Sequence, residues 1–151
     1  MIKIICVGKI KEKFFRESIE EYQKRISKYT KLEILEVADI NNSNMNIILE
    51  KEKELILSKI SDKDYVITLE IEGKELSSIE LSKKIDNVLI TNSNITFIIG
   101  GSYGLHEEVK KRSNYKLSFS KLTFPHQLFR IMLLEQIYRS YKILNNETYH
   151  K

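Results

Sequence analysis

A chain of 151 residues, 42% hydrophobic and 30% charged, is long enough for one domain with a substantial core and too ordinary in composition for a disordered or fibrous protein. No apolar stretch approaches the roughly 20 residues that a membrane-spanning helix needs, so no membrane partner is expected. The formal charge of +4 leans towards an acidic partner such as RNA without naming one.

The amino-terminal "IKIICV" (residues 2–7) reads as a buried strand ended by Gly8, rather than as a signal peptide. Its Cys6 is the lone cysteine, so it makes no internal disulfide; it reads as a small buried hydrophobe suited to a reducing cytoplasm. In "KEKFFRESIEEYQKRISKYT", Phe15, Ile19, Tyr22, Ile26 and Tyr29 recur at helical spacing on one face. "KLEILEVA" is a second strand, the polar stretch Asn41–Asn46 a break, "IILEKEKELILSKI" a second helix and "DYVITLEI" a third strand. Ser77 and Glu80 have capping-box spacing and introduce a helix carrying Leu81, Ile85, Val88 and Leu89. "ITFIIGG" is a fourth strand, a short helix runs from Leu105 to Arg112, and "YKLSFS" is a fifth strand. The last helix, "HQLFRIMLLEQIYRSYKIL", is apolar nearly all round; Pro125 reads as its first helical residue. Strands alternating with helices imply an α/β fold with a mainly parallel sheet sandwiched by helices, in a single domain spanning 1–151. The last helix carries more apolar surface than one sheet face needs, which points to a homodimer.

Ligands of open α/β sheets bind beyond the carboxyl ends of the strands. Three such ends are unusual here: "TLEIEG" at 68–73, "IIGGSYG" at 98–104 and "SFSKLTFPH" at 118–126. They are rich in glycine, backbone amides and apolar side chains, and hold no carboxylate or histidine set for a metal, so no metal is expected. Gly100, Gly101 and Gly104 form either a tight turn or a loop approached by a ligand. Their spacing is not a dinucleotide fingerprint, and no triphosphate-binding glycine loop occurs. The segments suit a neutral heterocycle held by main-chain hydrogen bonds. His126 is a candidate base, RNA contact or cap, with Arg130 four residues on and on the same helix face. Tyr149, His150 and Lys151 form either a second polar cluster or a frayed terminus. Lys110, Lys111, Arg112, Lys116 and Lys121 form either a phosphate-contacting patch or a solvated helix end.

"FIIGGSYG", "LSFSKLTFPHQLFRIMLLEQIYRSYKI" and the terminal "YHK", in this order, resemble the RlmH family of ribosomal large-subunit pseudouridine methyltransferases, within the SPOUT superfamily. The resemblance covers the whole chain. It implies a C-terminal deep trefoil knot, an exception to the rule that chains do not thread loops. It implies S-adenosyl-L-methionine as cofactor, a cytoplasmic homodimer whose sites borrow the partner's tail, and N3 methylation of a pseudouridine in a large-subunit rRNA stem-loop of the assembled ribosome. By position, it places Leu69, Gly100, Gly101, Gly104, Ser120, Lys121, Leu122, Thr123, Phe124 and Pro125 at the cofactor, and His126, Arg130, Tyr149 and His150 near the target base. Gly101 is where a side chain is expected to intrude on the cofactor. The alternative function is a non-catalytic RNA- or ribosome-binding module, which would need neither the glycine loop nor "LTFPH".

Overall fold

The alternation read from the sequence is realised throughout residues 1–151 of the computed structural model: β1 (Ile2–Val7), α1 (Lys13–Ile26), β2 (Leu32–Val37), α2 (Met45–Ser58), β3 (Tyr65–Glu75), α3 (Ser78–Thr91), β4 (Ile95–Ile99), α4 (Glu107–Arg112), β5 (Tyr115–Ser118) and α5 (His126–Leu144). The strands form one five-stranded sheet in the order β2-β1-β4-β3-β5, every pair parallel. A parallel sheet is covered on both faces, which is why β1 and β4 are runs buried at every residue and apolar at all but Lys3 and Thr96.

The pleat divides those runs between two cores. Ile2, Ile4 and Cys6, with Ile67, Phe97 and Leu117, face α1, α3 and α5; Ile5 and Val7, with Val66 and Ile98, pack with Ile56 of α2 and Val109 of α4. α5 contacts both α1 and α3, so Leu133, Leu134 and Ile137 are fully buried. Each such side chain contributes about 1.5–3 kcal/mol relative to exposure. Much of the apolar surface of α5 is thus used inside the chain. At its amino-terminal end Leu128, Ile131 and Met132 remain partly uncovered.

The amino-terminal ends of the strands are locked by polar groups. Lys3 Nζ donates to Asp64 Oδ2 (3.0 Å) and to the Lys59 carbonyl (3.1 Å), while Thr96 Oγ1 and the Ser61 amide donate to the same carboxylate oxygen. Burial alone would raise the Asp64 carboxyl, but the Ser61 amide, Lys3 and Thr96 outweigh it and hold it below its ordinary range. The resulting stability is present above the unfolded carboxyl pKa and is lost as pH falls through the lower folded value.

Ser77 and Glu80 make the capping box in both directions, at 3.1 and 2.9 Å. Two local features differ from the sequence reading. Pro125 is the N-cap rather than the first helical residue: its ψ is 137°, its carbonyl accepts from the Phe129 amide at 2.9 Å, and the helix begins at His126. β3 does not stop at Ile71 but continues to Glu75, through an irregularity in which Leu69 and Lys74 both pair with Leu117. Residues 70–73 arch away between those two pairings. The return is possible because residue 73 is glycine: a Cβ there would lie 2.8 Å from the backbone of Lys116 and Leu117.

Candidate functional site

The arch of β3, the glycine loop after β4 and the loop after β5 surround a cavity of about 610 Å³ at the carboxyl edge of the sheet. Leu69, Gly100, Gly101, Gly104, Ser120, Leu122, Thr123, Phe124 and His126 all line it; Lys121 and Pro125 lie on the same loop without lining it. Phe119, Phe124 and Phe129 give it an aromatic wall, with ring centroids 4.9 Å apart for Phe119–Phe129 and 6.2 Å for Phe124–Phe129. Ser120 shapes the loop: its Oγ accepts from the Leu122 amide at 3.0 Å, and its carbonyl accepts from Ser118 Oγ at 3.1 Å.

The glycine loop closes on itself. The Gly104 amide donates to the Gly101 carbonyl at 3.0 Å, and Gly104 turns the chain with φ +76°. A Cβ on Gly100 would lie 2.7 Å from the Gly104 carbonyl oxygen, so the turn needs glycine at 100. At Gly101 the geometry differs from the expected intrusion on a ligand. A Cβ there would meet Val7 (3.2 Å) and the buried carboxylate of Glu52 (3.3 Å). Burial, and then the charge of Asp39, raise the Glu52 carboxyl above its ordinary range.

The cavity also holds a polar corner. Glu70 accepts from Thr68 Oγ1 at 2.6 Å and lies 3.9 Å from Lys110 Nζ, which is also 3.6 Å from Glu107. Arg112 donates to the carbonyls of Ser61 and Asp64, both at 3.0 Å. Part of the basic cluster around α4 is therefore engaged within the chain.

His126 and Arg130 part company. His126 is exposed at the cavity, whereas Arg130 does not line it and is 3% exposed. Arg130 donates to Glu36 Oε2 (2.6 Å) and the Gly8 carbonyl (3.1 Å), with its buried Nε unpaired. Arg130→Ala should lower stability by about 2 kcal/mol. The effect should appear as a lower urea midpoint at unchanged slope; an unmoved midpoint would show that these bonds add nothing net.

The tail is tied down rather than frayed. Tyr149 packs edge-on against Tyr138 with centroids 5.0 Å apart and donates to Glu135 Oε1 at 3.1 Å. Arg139 donates to the same oxygen at 2.6 Å, lies 4.7 Å from the centre of the Tyr149 ring, and its Nη1 is 3.1 Å from His150 Nδ1. Burial, and then the Glu135 carboxylate, raise the Tyr149 hydroxyl. Arginine can only donate, so His150 Nδ1 accepts and, in neutral imidazole, the proton sits on Nε2. Glu135 and Arg139 were not singled out from the sequence, although their spacing of four on α5 is a helical ion-pair signal. The tail's anchors begin nine residues beyond His126, roughly 13 Å along the helix. None of the tail residues lines this chain's own cavity.

Residues 1–150 match the family model described as predicted SPOUT methyltransferase. The chain is 58% identical to the ribosomal RNA large subunit methyltransferase H of a Clostridium botulinum strain, with 99% of each covered. It is 54% identical to ribosomal RNA large subunit methyltransferase H 1 of Clostridium perfringens, again with 99% of each covered. Among solved structures, a probable methylase family protein from Haemophilus influenzae aligns with a TM-score of 0.57 at 13% identity, covering 99% of this chain and 70% of the other. A tRNA methyltransferase from Aquifex aeolicus aligns with a TM-score of 0.51 at 16% identity, covering 91% of this chain and 69% of the other. These two structural likenesses speak to the fold.

Proposed function

This chain belongs to the SPOUT methyltransferase family, and on that premise we propose that it methylates large-subunit ribosomal RNA at N3 of a pseudouridine within the assembled ribosome, using S-adenosylmethionine. The observation that carries this reading is the cavity. Its volume of about 610 Å³ is in the range of small-molecule sites. Its aromatic wall, the serine-shaped loop and the glycine turn suit an adenosyl group held by stacking and main-chain hydrogen bonds. A ribosome-binding module without catalysis would need no such cavity.

When bound, the cofactor supplies a methyl group already activated on a sulfonium. What remains for this chain is placement and a proton. Leu69, Gly100, Gly101, Gly104 and the loop from Ser120 to Phe124 hold the donor side and exclude water from it. His126, on the lining next to that loop, accepts the imide proton. His150, with its Nε2–H outward, donates to a carbonyl oxygen of the imide as charge develops there, and Tyr149 sits beside it. Arg130 acts by positioning the main chain rather than by touching the base.

A homodimer is part of this reading. Tyr149 and His150 are held away from their own cavity, and Leu128, Ile131 and Met132 are partly uncovered close to His126; a second copy against that strip would bring its tail to this cavity. So is the trefoil knot, which fits β5 lying outside β3 in the sheet and α5 returning between α1 and α3. No helix is long and apolar enough to cross a membrane, and the ribosomal substrate assigns the protein to the cytoplasm. S-adenosylmethionine should raise the melting temperature, by about 2.7 kcal/mol of added stability at a hundred times its dissociation constant. Labelled methyl should then appear in large-subunit RNA of unmethylated ribosomes. Absence of both the melting shift and the label would overturn the reading.

A further inference from the structure

The loop between β1 and α1, residues 8–12, is held more firmly than its exposure requires. Gly8 turns the chain with φ +88° and its amide donates to the Val37 carbonyl at 2.9 Å. Arg130 donates to the Gly8 carbonyl at 3.1 Å, and Glu36 Oε2 accepts from the Ile10 amide at the same distance. Gln127 Oε1 accepts from the Lys11 amide at 3.4 Å. Two of these anchors, Gln127 and Arg130, sit on the first turns of α5, directly after His126. The loop is therefore fixed relative to the residue that lines the cavity, at the cost of burying a guanidinium whose Nε finds no partner.

The fixed backbone carries free charge. Lys9 and Lys11 are exposed and neither makes an ion pair, whereas Lys110 is paired with Glu70 and Glu107. The segment continues with Lys13, the exposed ring of Phe14 and Arg16, and Lys13 is the one of these cations with an ion-pair partner, Glu17. At the same edge of the sheet Lys121 is also exposed and unpaired. A rigid loop with two exposed, unpaired lysines and Glu12 as its one acid, beside a cavity mouth, suits a polyanion whose reactive unit must enter that cavity.

We propose that the β1–α1 loop is the surface on which the RNA strand flanking the target base is seated. Lys9 and Lys11 neutralise backbone phosphates, and Glu36, Gln127 and Arg130 hold the loop in register with His126. This rests on the RNA methyltransferase reading and adds to it the place of contact. Phosphate contacts position the strand without reading its sequence.

The test is the doubly substituted Lys9→Gln, Lys11→Gln protein, compared with the wild type in binding unmethylated large ribosomal subunits across roughly 50–200 mM salt. Each neutralised phosphate contributes about 0.7 to the log–log salt slope for single-stranded nucleic acid, so the slope should become shallower by about 1.4. Affinity at the low-salt end should fall by about tenfold, while the melting shift produced by S-adenosylmethionine stays as in the wild type. Unchanged affinity and slope, with wild type binding normally, would overturn the loop's role and leave the enzyme reading intact. Weaker binding at an unchanged slope would also overturn it, because the lysines would then be acting on something other than phosphates. A wild-type protein that binds no large subunit at any salt would sink the RNA reading and this surface together.

Discussion

Removing Tyr149–Lys151 should lower the single-turnover methylation rate by at least about 100-fold while S-adenosylmethionine affinity stays within a factor of about two. None of the tail residues lines its own cavity, so the donor side should survive its loss. What disappears is the hydrogen-bond donor at His150 Nε2, a ring held at Nδ1 by Arg139, and the neighbouring Tyr149 ring. His150→Ala alone should reproduce most of the rate loss, because Tyr149 would still be held by Glu135 and Tyr138. Losing the Tyr138–Tyr149 ring pair should cost about 1 kcal/mol of stability, so the truncated protein must be assayed well below its melting temperature. A wild-type single-turnover rate in the truncated protein would remove the tail from the mechanism.

Gly100→Val should abolish measurable S-adenosylmethionine binding, a loss of at least about 100-fold for a change that distorts the site rather than trimming one contact. The Cβ would sit 2.7 Å from the Gly104 carbonyl oxygen and 2.9 Å from its carbonyl carbon, both backbone atoms that cannot swing away. The turn from Gly101 to Gly104 would have to open, and with it the wall formed by Ser102 and Tyr103. Gly101→Ala is the informative contrast. Its Cβ would meet side chains at 3.2–3.4 Å, among them the Glu52 carboxylate, on the Val7 side of the loop. It should weaken binding less than Gly100→Val. Calorimetric affinity unchanged by Gly100→Val would show that the donor is bound elsewhere.

Local chemistry made most of the architecture readable. The double-sided burial of a parallel sheet writes itself as runs such as "IKIICV" and "ITFII", and Ser77 and Glu80 announced α3 because a capping box is a short-range interaction. The three strand ends that line the cavity stood out because glycine and apolar residues are concentrated there. What stayed hidden depends on partners distant in sequence. Arg130 shares a helical face with His126 on paper, but its fate is set by Glu36, 94 residues away on β2. Gly73 reads as part of the ligand-facing strand end "TLEIEG", with the third strand finished at Ile71. Its actual use is to let β3 rejoin β5 after an arch, which only the register reveals. The docking of Tyr149 required knowing that Glu135 and Arg139 were oriented to receive it.

The arch of β3 gives one strand two different lives in solvent isotope exchange. Up to Leu69 its neighbours on β4 and β5 follow a regular ladder, while residues 70–73 fall between the two pairings to Leu117. The span that forms one wall of the cavity therefore lies outside the regular ladder and should open on its own, ahead of global unfolding. Leu69 through Glu72 border the cavity, so a ligand lodged there would quieten a stretch that is otherwise quick to trade its protons for deuterons. The irregularity doubles as a built-in occupancy gauge, legible in a single proteolytic peptide without any added label.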